Sequence, residues 1–337
     1  MPTRIILDID NATGMAARDV DDGLALTMAL ASGDFDLLGV TTCSGNCYAR
    51  ESTDITLRML ELAGRTDIPV GAGRDMPMLL DVGPHFQRLA QASAAAAAGW
   101  HGAVALPPAS GSITPVPAYR LIIDMVRRYP GEVVIVKEGA LTNLAVALLV
   151  DPGIAPLVKG VVHMGGSIEP WWESYLGRMD PEMWRHVIKL NTVYDPEATA
   201  IVMKSGIPMT YVTINVCSRV RLRPADTDRI AAVGGPYHAF LADASRRWVD
   251  YVDYQDGSEG AAMWDLLTLA LVAHPEFCEC VTMRQDADRF RADRYPWLYA
   301  SSDGPQAQVT VGVDVAAFEA YLMRSLTTPI PAAGPRG

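Results

Sequence analysis

Four aspartates crowd the start of the chain: Asp8 and Asp10 in Ile5-Ile6-Leu7-Asp8-Ile9-Asp10, then Asp21 and Asp22 after the loop Asn11 to Val20. An aspartate at a helix start can be a cap, which accounts for Asp21 or Asp22 alone. It does not account for Asp8 and Asp10, because acids two residues apart on a buried strand point the same way and repel. A hard cation removes that cost, and clustered carboxylates with carbonyl oxygens are the donors that Ca²⁺ or Mg²⁺ prefers. The chemistry expected of this segment is that of a divalent-cation site.

Such a cluster needs strands that end together. Arg4 to Ile9 reads as a buried strand, and Asp22 to Ser32 as a helix with a broad apolar face. Asp36 to Cys43, Ile68 to Gly71, Val133 to Val136, Gly160 to Met164 and Met209 to Ile214 read as further strands. Helical patterns at 51–63, 117–129, 142–150 and 195–204 lie between them. This alternation predicts an α/β fold, a Rossmann-like open, mostly parallel sheet flanked by helices. In such a sheet the ligand crevice lies beyond the C-terminal strand ends, where Asp8, Asp10, Asp21 and Asp22 fall. Two segments break the pattern. Residues 79–116, rich in Pro, Gly and Ala, read as a loop or lid, and 168–190, with Trp171, Trp172 and Trp184, as an insertion.

Composition excludes several classes. With 28 Lys+Arg against 39 Asp+Glu the formal charge is −11, and no basic stripe exists to engage phosphates, so a nucleic-acid partner is not expected. No apolar run approaches the roughly 20 residues that span a bilayer, so no membrane partner is expected either. The N-terminus shows no secretory leader, which predicts a cytoplasmic protein. The five cysteines form no metal-binding or disulfide pattern. We expect one domain over 1–328 and a flexible tail over 329–337.

Two cation-using families open in this way. Haloacid dehalogenase-like phosphatases carry an Asp-x-Asp at a strand end, and nucleoside hydrolases of the inosine-uridine-preferring type add a second Asp-Asp before an apolar helix. The pair Asp21-Asp22 favours the hydrolases. Further segments resemble that family in order and spacing: Gly39 to Asn46, Glu138-Gly139-Ala140-Leu141-Thr142-Asn143, Met164-Gly165-Gly166, Leu190-Asn191 with Asp195-Pro196-Glu197-Ala198, and Ala262 to Thr268 around Trp264-Asp265.

The resemblance implies calcium-dependent cleavage of the N-glycosidic bond of ribonucleosides, and a homodimer or homotetramer. It implies that Asp10, Asp22 and Asp265 ligate Ca²⁺ with the Glu138 carbonyl, and that Asp10 takes a proton from the attacking water. Asp21, Asn46 and Asn191 would hold ribose hydroxyls, with turn positions as the lesser alternative for the two asparagines. Asp8 would orient its neighbours. Where many members carry a histidine before the last aspartate this chain has Trp264, which is similar to the purine-specific branch and suggests stacking on the base. Core packing is the plainer account of Trp264. Trp100, or else Trp171 or Trp172, would cover the other face.

Two departures stand out. The loop between the acidic pairs is longer than the family's common one, and Lys189 replaces the family's glutamate, which would suit a modified, anionic 5′ substituent if it is not simply a surface lysine. The rival readings are a riboside-binding or glycosyl-transferring relative and a metal-dependent phosphatase with Asp8 as nucleophile.

Overall fold

The structure is a computed structural model that describes residues 1–168, 191–256, 259–293 and 297–333. Its first half runs β1 (Thr3–Ile9), α1 (Asp21–Ala31), β2 (Phe35–Thr42), α2 (Ala49–Leu62), β3 (Val70–Ala72), α3 (Gly83–Ala96), β4 (Val116–Pro117), α4 (Ala118–Arg128), β5 (Val134–Lys137), α5 (Thr142–Val150) and β6 (Gly160–Met164). There follow α6 (Asn191–Tyr194), α7 (Pro196–Met203), β7 (Met209–Val212), α8 (Ile214–Cys217), β8 (Arg221–Leu222), α9 (Pro224–Ala231), α10 (Gly235–Asp256), β9 (Ala261–Ala262), α11 (Trp264–Ala273), β10 (Cys278–Arg284), α12 (Ala287–Asp293), β11 (Gln306–Val313) and α13 (Val315–Leu326).

Nine strands form one sheet in the order β10-β11-β7-β6-β5-β1-β2-β3-β4. Every neighbouring pair is parallel except the edge pair β10 and β11. Covered on both faces, β1 is an unbroken apolar run up to Asp8, with Ile5, Ile6, Leu7 and Ile9 fully buried. Helix α1 is buried along its whole length, which explains why its apolar face is so broad, and it packs against α11 and α13.

The strand order carries the main consequence for function. From β1 the chain moves outward through β2, β3 and β4, then returns to place β5 on the other side of β1. The loops leaving β1 and β5 therefore diverge over opposite faces and leave a crevice between them, the switch point at which open α/β sheets bind ligands.

The expectation for 79–116 needs correction, because its first third is helical. Alanine is the strongest helix former, and Pro84 is tolerated in the first turn where its missing N–H has no helical partner to lose. Only His85, Phe86 and Leu89 of α3 are buried. The chain also stays attached beyond the expected boundary at 328, since Ile330 packs against the core. Lys189, Trp171, Trp172 and Trp184 lie outside the described residues. Among the described residues no helix is long and apolar enough to cross a membrane.

Candidate active site

The crevice between β1 and β5 is lined with carboxylates. Asp10 follows β1, Asp21 and Asp22 open α1, Glu138 follows β5, and Asp265 lies in the first turn of α11. All five are at most 4% exposed. Single oxygens of Asp22, Glu138 and Asp265 lie within 4.8 Å of one another, as do those of Asp19, Asp21 and Asp22.

Main-chain donors set the orientation of these groups. The Asp10 N–H donates to Asp22 Oδ1 at 3.1 Å, which ties the end of β1 to the start of α1. Asp10 Oδ2 in turn accepts the Asn46 N–H at 2.7 Å. Asp21 Oδ2 accepts the N–H groups of Trp264 at 3.2 Å and Asp265 at 3.4 Å, so one carboxylate caps α11 while standing at the head of α1.

The remaining oxygens are orphaned. Asp10 Oδ1, Asp21 Oδ1, Asp22 Oδ2 and both oxygens of Glu138 are buried with no hydrogen-bond partner among the described residues. Burial is the main cause that holds the carboxyls of Asp21, Asp22, Glu138 and Asp265 well above the usual range, and neighbouring carboxylates add to it. Asp10 is raised to about 7, by burial first and Asp19 next. Carboxyl oxygens brought together in a dry crevice without hydrogen-bond partners, where a cation would favour the ionised form that burial opposes, fit a hard divalent cation.

Asp8 has a different role. Its Oδ2 accepts Thr41 Oγ1 at 2.7 Å and Asn143 Nδ2 at 3.0 Å, and its Oδ1 is ion-paired with Lys137 Nζ from the adjacent position on β5. Lys137 compensates the charge of Asp8, and it also favours the ionised form of Asp10. Fully buried and with both oxygens engaged, Asp8 has no room to act as a nucleophile.

The other expected residues divide. Asn46 lies at the crevice, where its Nδ2 donates to Asp19 Oδ1 at 2.7 Å. Asn191 Nδ2 donates to the Glu138 carbonyl at 2.5 Å and the Met164 carbonyl at 3.2 Å. Trp264 is half-buried beside Asp265, with Nε1 directed to Ser218 Oγ at 3.4 Å. Trp100 packs edge-on against Tyr251 of α10 at 5.7 Å between ring centroids, and among the described residues no contact ties it to the carboxylates.

Sequence reasoning missed Asp19 and Lys137, and it reached Glu138 only through the carbonyl. Asp19 stands two residues before Asp21, the same spacing that drew attention to Asp8 and Asp10. Lys137 ends a β-branched run in mid-sheet, where a charge needs a partner.

Gly45 is required by close approach, because a Cβ there would overlap Asp10 Oδ2. Gly45→Ala is expected to displace Asp10 and lower kcat by about 10²-fold with the fold intact by circular dichroism. Unchanged turnover would show that Asp10 tolerates the shift.

Comparison with known proteins agrees with this geometry. The sequence profile described as "Inosine-uridine preferring nucleoside hydrolase" matches residues 5–320. The chain is 31% identical over 257 residues to the pyrimidine-specific ribonucleoside hydrolase RihA of Citrobacter koseri, covering 76% of this chain and 77% of that one. It is 29% identical over 273 residues to uridine nucleosidase 1 of Arabidopsis thaliana, covering 81% and 74% respectively. Among solved structures, the purine-preferring ribonucleoside hydrolase from Gardnerella vaginalis superposes with a TM-score of 0.77 at 23% identity, over 96% of this chain and 98% of that one. At that identity the superposition speaks for the fold alone.

Proposed function

The chain belongs to the inosine-uridine preferring nucleoside hydrolase family, a metal-dependent family of N-ribohydrolases, and we propose that it is a calcium-dependent member that cleaves purine ribonucleosides to free base and ribose. One observation supports this most directly: Asp10 has one oxygen fixed by the Asn46 N–H and the other unpartnered, beside the Asp22, Glu138 and Asp265 cluster. Because the proposed ligands come from both halves of the chain, residues 1–328 are read as one domain.

Asp10, Asp22, Glu138 and Asp265 would hold the cation, which would supply positive charge to acidify water and to attract ribose hydroxyls. The residues do the rest. Asp10 Oδ1 accepts the proton from the attacking water while Oδ2 stays tethered, so the base does not rotate as it works. Asp21 presents its unpartnered Oδ1 to a ribose hydroxyl, with Oδ2 anchored to the start of α11. Asn46 and Asn191 have their Nδ2 groups committed within the protein, so each meets the sugar through Oδ1. A phosphatase mechanism is disfavoured because Asp8, its required nucleophile, is locked to Lys137, Thr41 and Asn143.

Trp264 supports the purine preference, since an indole beside the last proposed ligand offers a stacking face for a bicyclic base. A pyrimidine reading is favoured instead by the names of the sequence relatives from Citrobacter koseri and Arabidopsis thaliana. A panel of inosine, guanosine, adenosine, uridine and cytidine, with free base and ribose as products, separates the two. Trp264→Ala is expected to lower kcat/KM for purines by about 10- to 100-fold, in keeping with a stacking contribution of roughly 1–3 kcal/mol, and to affect pyrimidines less. Equal losses for both would remove the stacking role. Chelation is expected to abolish turnover and Ca²⁺ to restore it.

A further inference from the structure

Glu138 departs from what the family resemblance implies, in which this position offers only a main-chain oxygen. Its carbonyl already accepts Asn191 Nδ2 at 2.5 Å. Its side chain is 1% exposed, both carboxylate oxygens are buried without a hydrogen-bond partner, and one lies within 4.8 Å of oxygens from both Asp22 and Asp265. Among the described residues no ion pair neutralises it: Lys137, the adjacent cation, is committed to Asp8. A carboxyl taken out of water without a partner is neutralised either by a proton or by a cation, and the oxygens of Asp22 and Asp265 beside this one supply the further donors that a cation needs.

We propose that the Glu138 carboxylate is itself a ligand of the bound cation, so that Asp10, Asp22, Asp265 and Glu138 form a set of four side-chain carboxylates. The proposal rests on the cation-dependent reading above. Lys137 and Glu138 then act as a pair of opposite purpose. The lysine cancels Asp8 beneath the site, and the glutamate adds charge within it. Because the number of charged ligands tunes Ca²⁺ affinity, the fourth carboxylate makes the site tighter than one completed by a neutral carbonyl.

The test is Ca²⁺ binding to the full chain without substrate, measured by calorimetry after chelation. Wild type is expected to bind one Ca²⁺, and Glu138→Gln, which keeps both the carbonyl and the side-chain shape, to bind it about 10- to 100-fold more weakly. Ca²⁺ should also raise the melting temperature of Glu138→Gln by less than that of wild type. Glu138→Met replaces the amide variant if the latter does not fold. A variant that binds Ca²⁺ as tightly as wild type overturns the ligand assignment and leaves the cation-dependent reading standing. Failure of wild type to bind Ca²⁺ overturns both.

Discussion

Asp10→Asn is expected to lower kcat by about 10³-fold at saturating Ca²⁺ and nucleoside, with KM changed far less. The size follows from the proposed role: a positioned general base contributes about 10²- to 10⁴-fold, and asparagine retains the shape of aspartate but cannot accept the proton. The amide oxygen still reaches the Asn46 N–H, so the backbone link from β1 to the loop at Gly45 survives. What disappears is the acceptor at Oδ1, the oxygen that has no hydrogen-bond partner among the described residues. Stopped assays that follow ribose release measure the loss. Activity within tenfold of wild type would mean that another group takes the proton, and Asp19, which contributes to the raised pKa of Asp10, would be the first to examine.

Lys137→Met has the second large effect, on stability. Lys137 and Asp8 are both fully buried, and removing one member of a buried pair leaves the other charge uncompensated, at a cost of about 3–5 kcal/mol. The melting temperature of the single variant is expected to fall markedly. Lys137→Met with Asp8→Asn is expected to recover most of it, because the amide can still accept from Thr41 and no unpaired charge remains. A double variant as unstable as the single one would locate the effect in packing rather than charge. Turnover should follow the same order, since Asp8 and Asp10 share one strand end.

The sheet was legible because its strands are β-branched runs with helical patterns between them, and because burial on both faces forbids polar interruptions. Where an interruption occurs it carries information. Asp8 was recognised as costly, but its partner lies 129 positions away on another strand, and a single sequence does not display which strands are neighbours. The same limit hid the direction of the Glu138 side chain, whose carbonyl and carboxylate are equally present in the letters. Helix α3 was missed for another reason. Alanine-rich segments bear little periodicity, so intrinsic propensity, the stronger signal there, was outweighed by the surrounding prolines and glycines. The edge-on contact of Trp100 with Tyr251 of α10 was hidden for the same reason as the partner of Asp8, since the two rings are far apart in the chain.

The strand order has a bearing on how such a protein changes over time. The carboxylates descend from the two central strands and from the first turns of α1 and α11, all of them walled in by the core. Trp100, by contrast, hangs from the long connection between β3 and β4, at the far edge of the sheet. Lengthening or rewriting that connection leaves the central strands as they are. The outer connection can therefore diverge without touching the carboxylates, whereas Trp264, adjacent in sequence to Asp265 and bonded through its N–H to Asp21, cannot be moved without moving them.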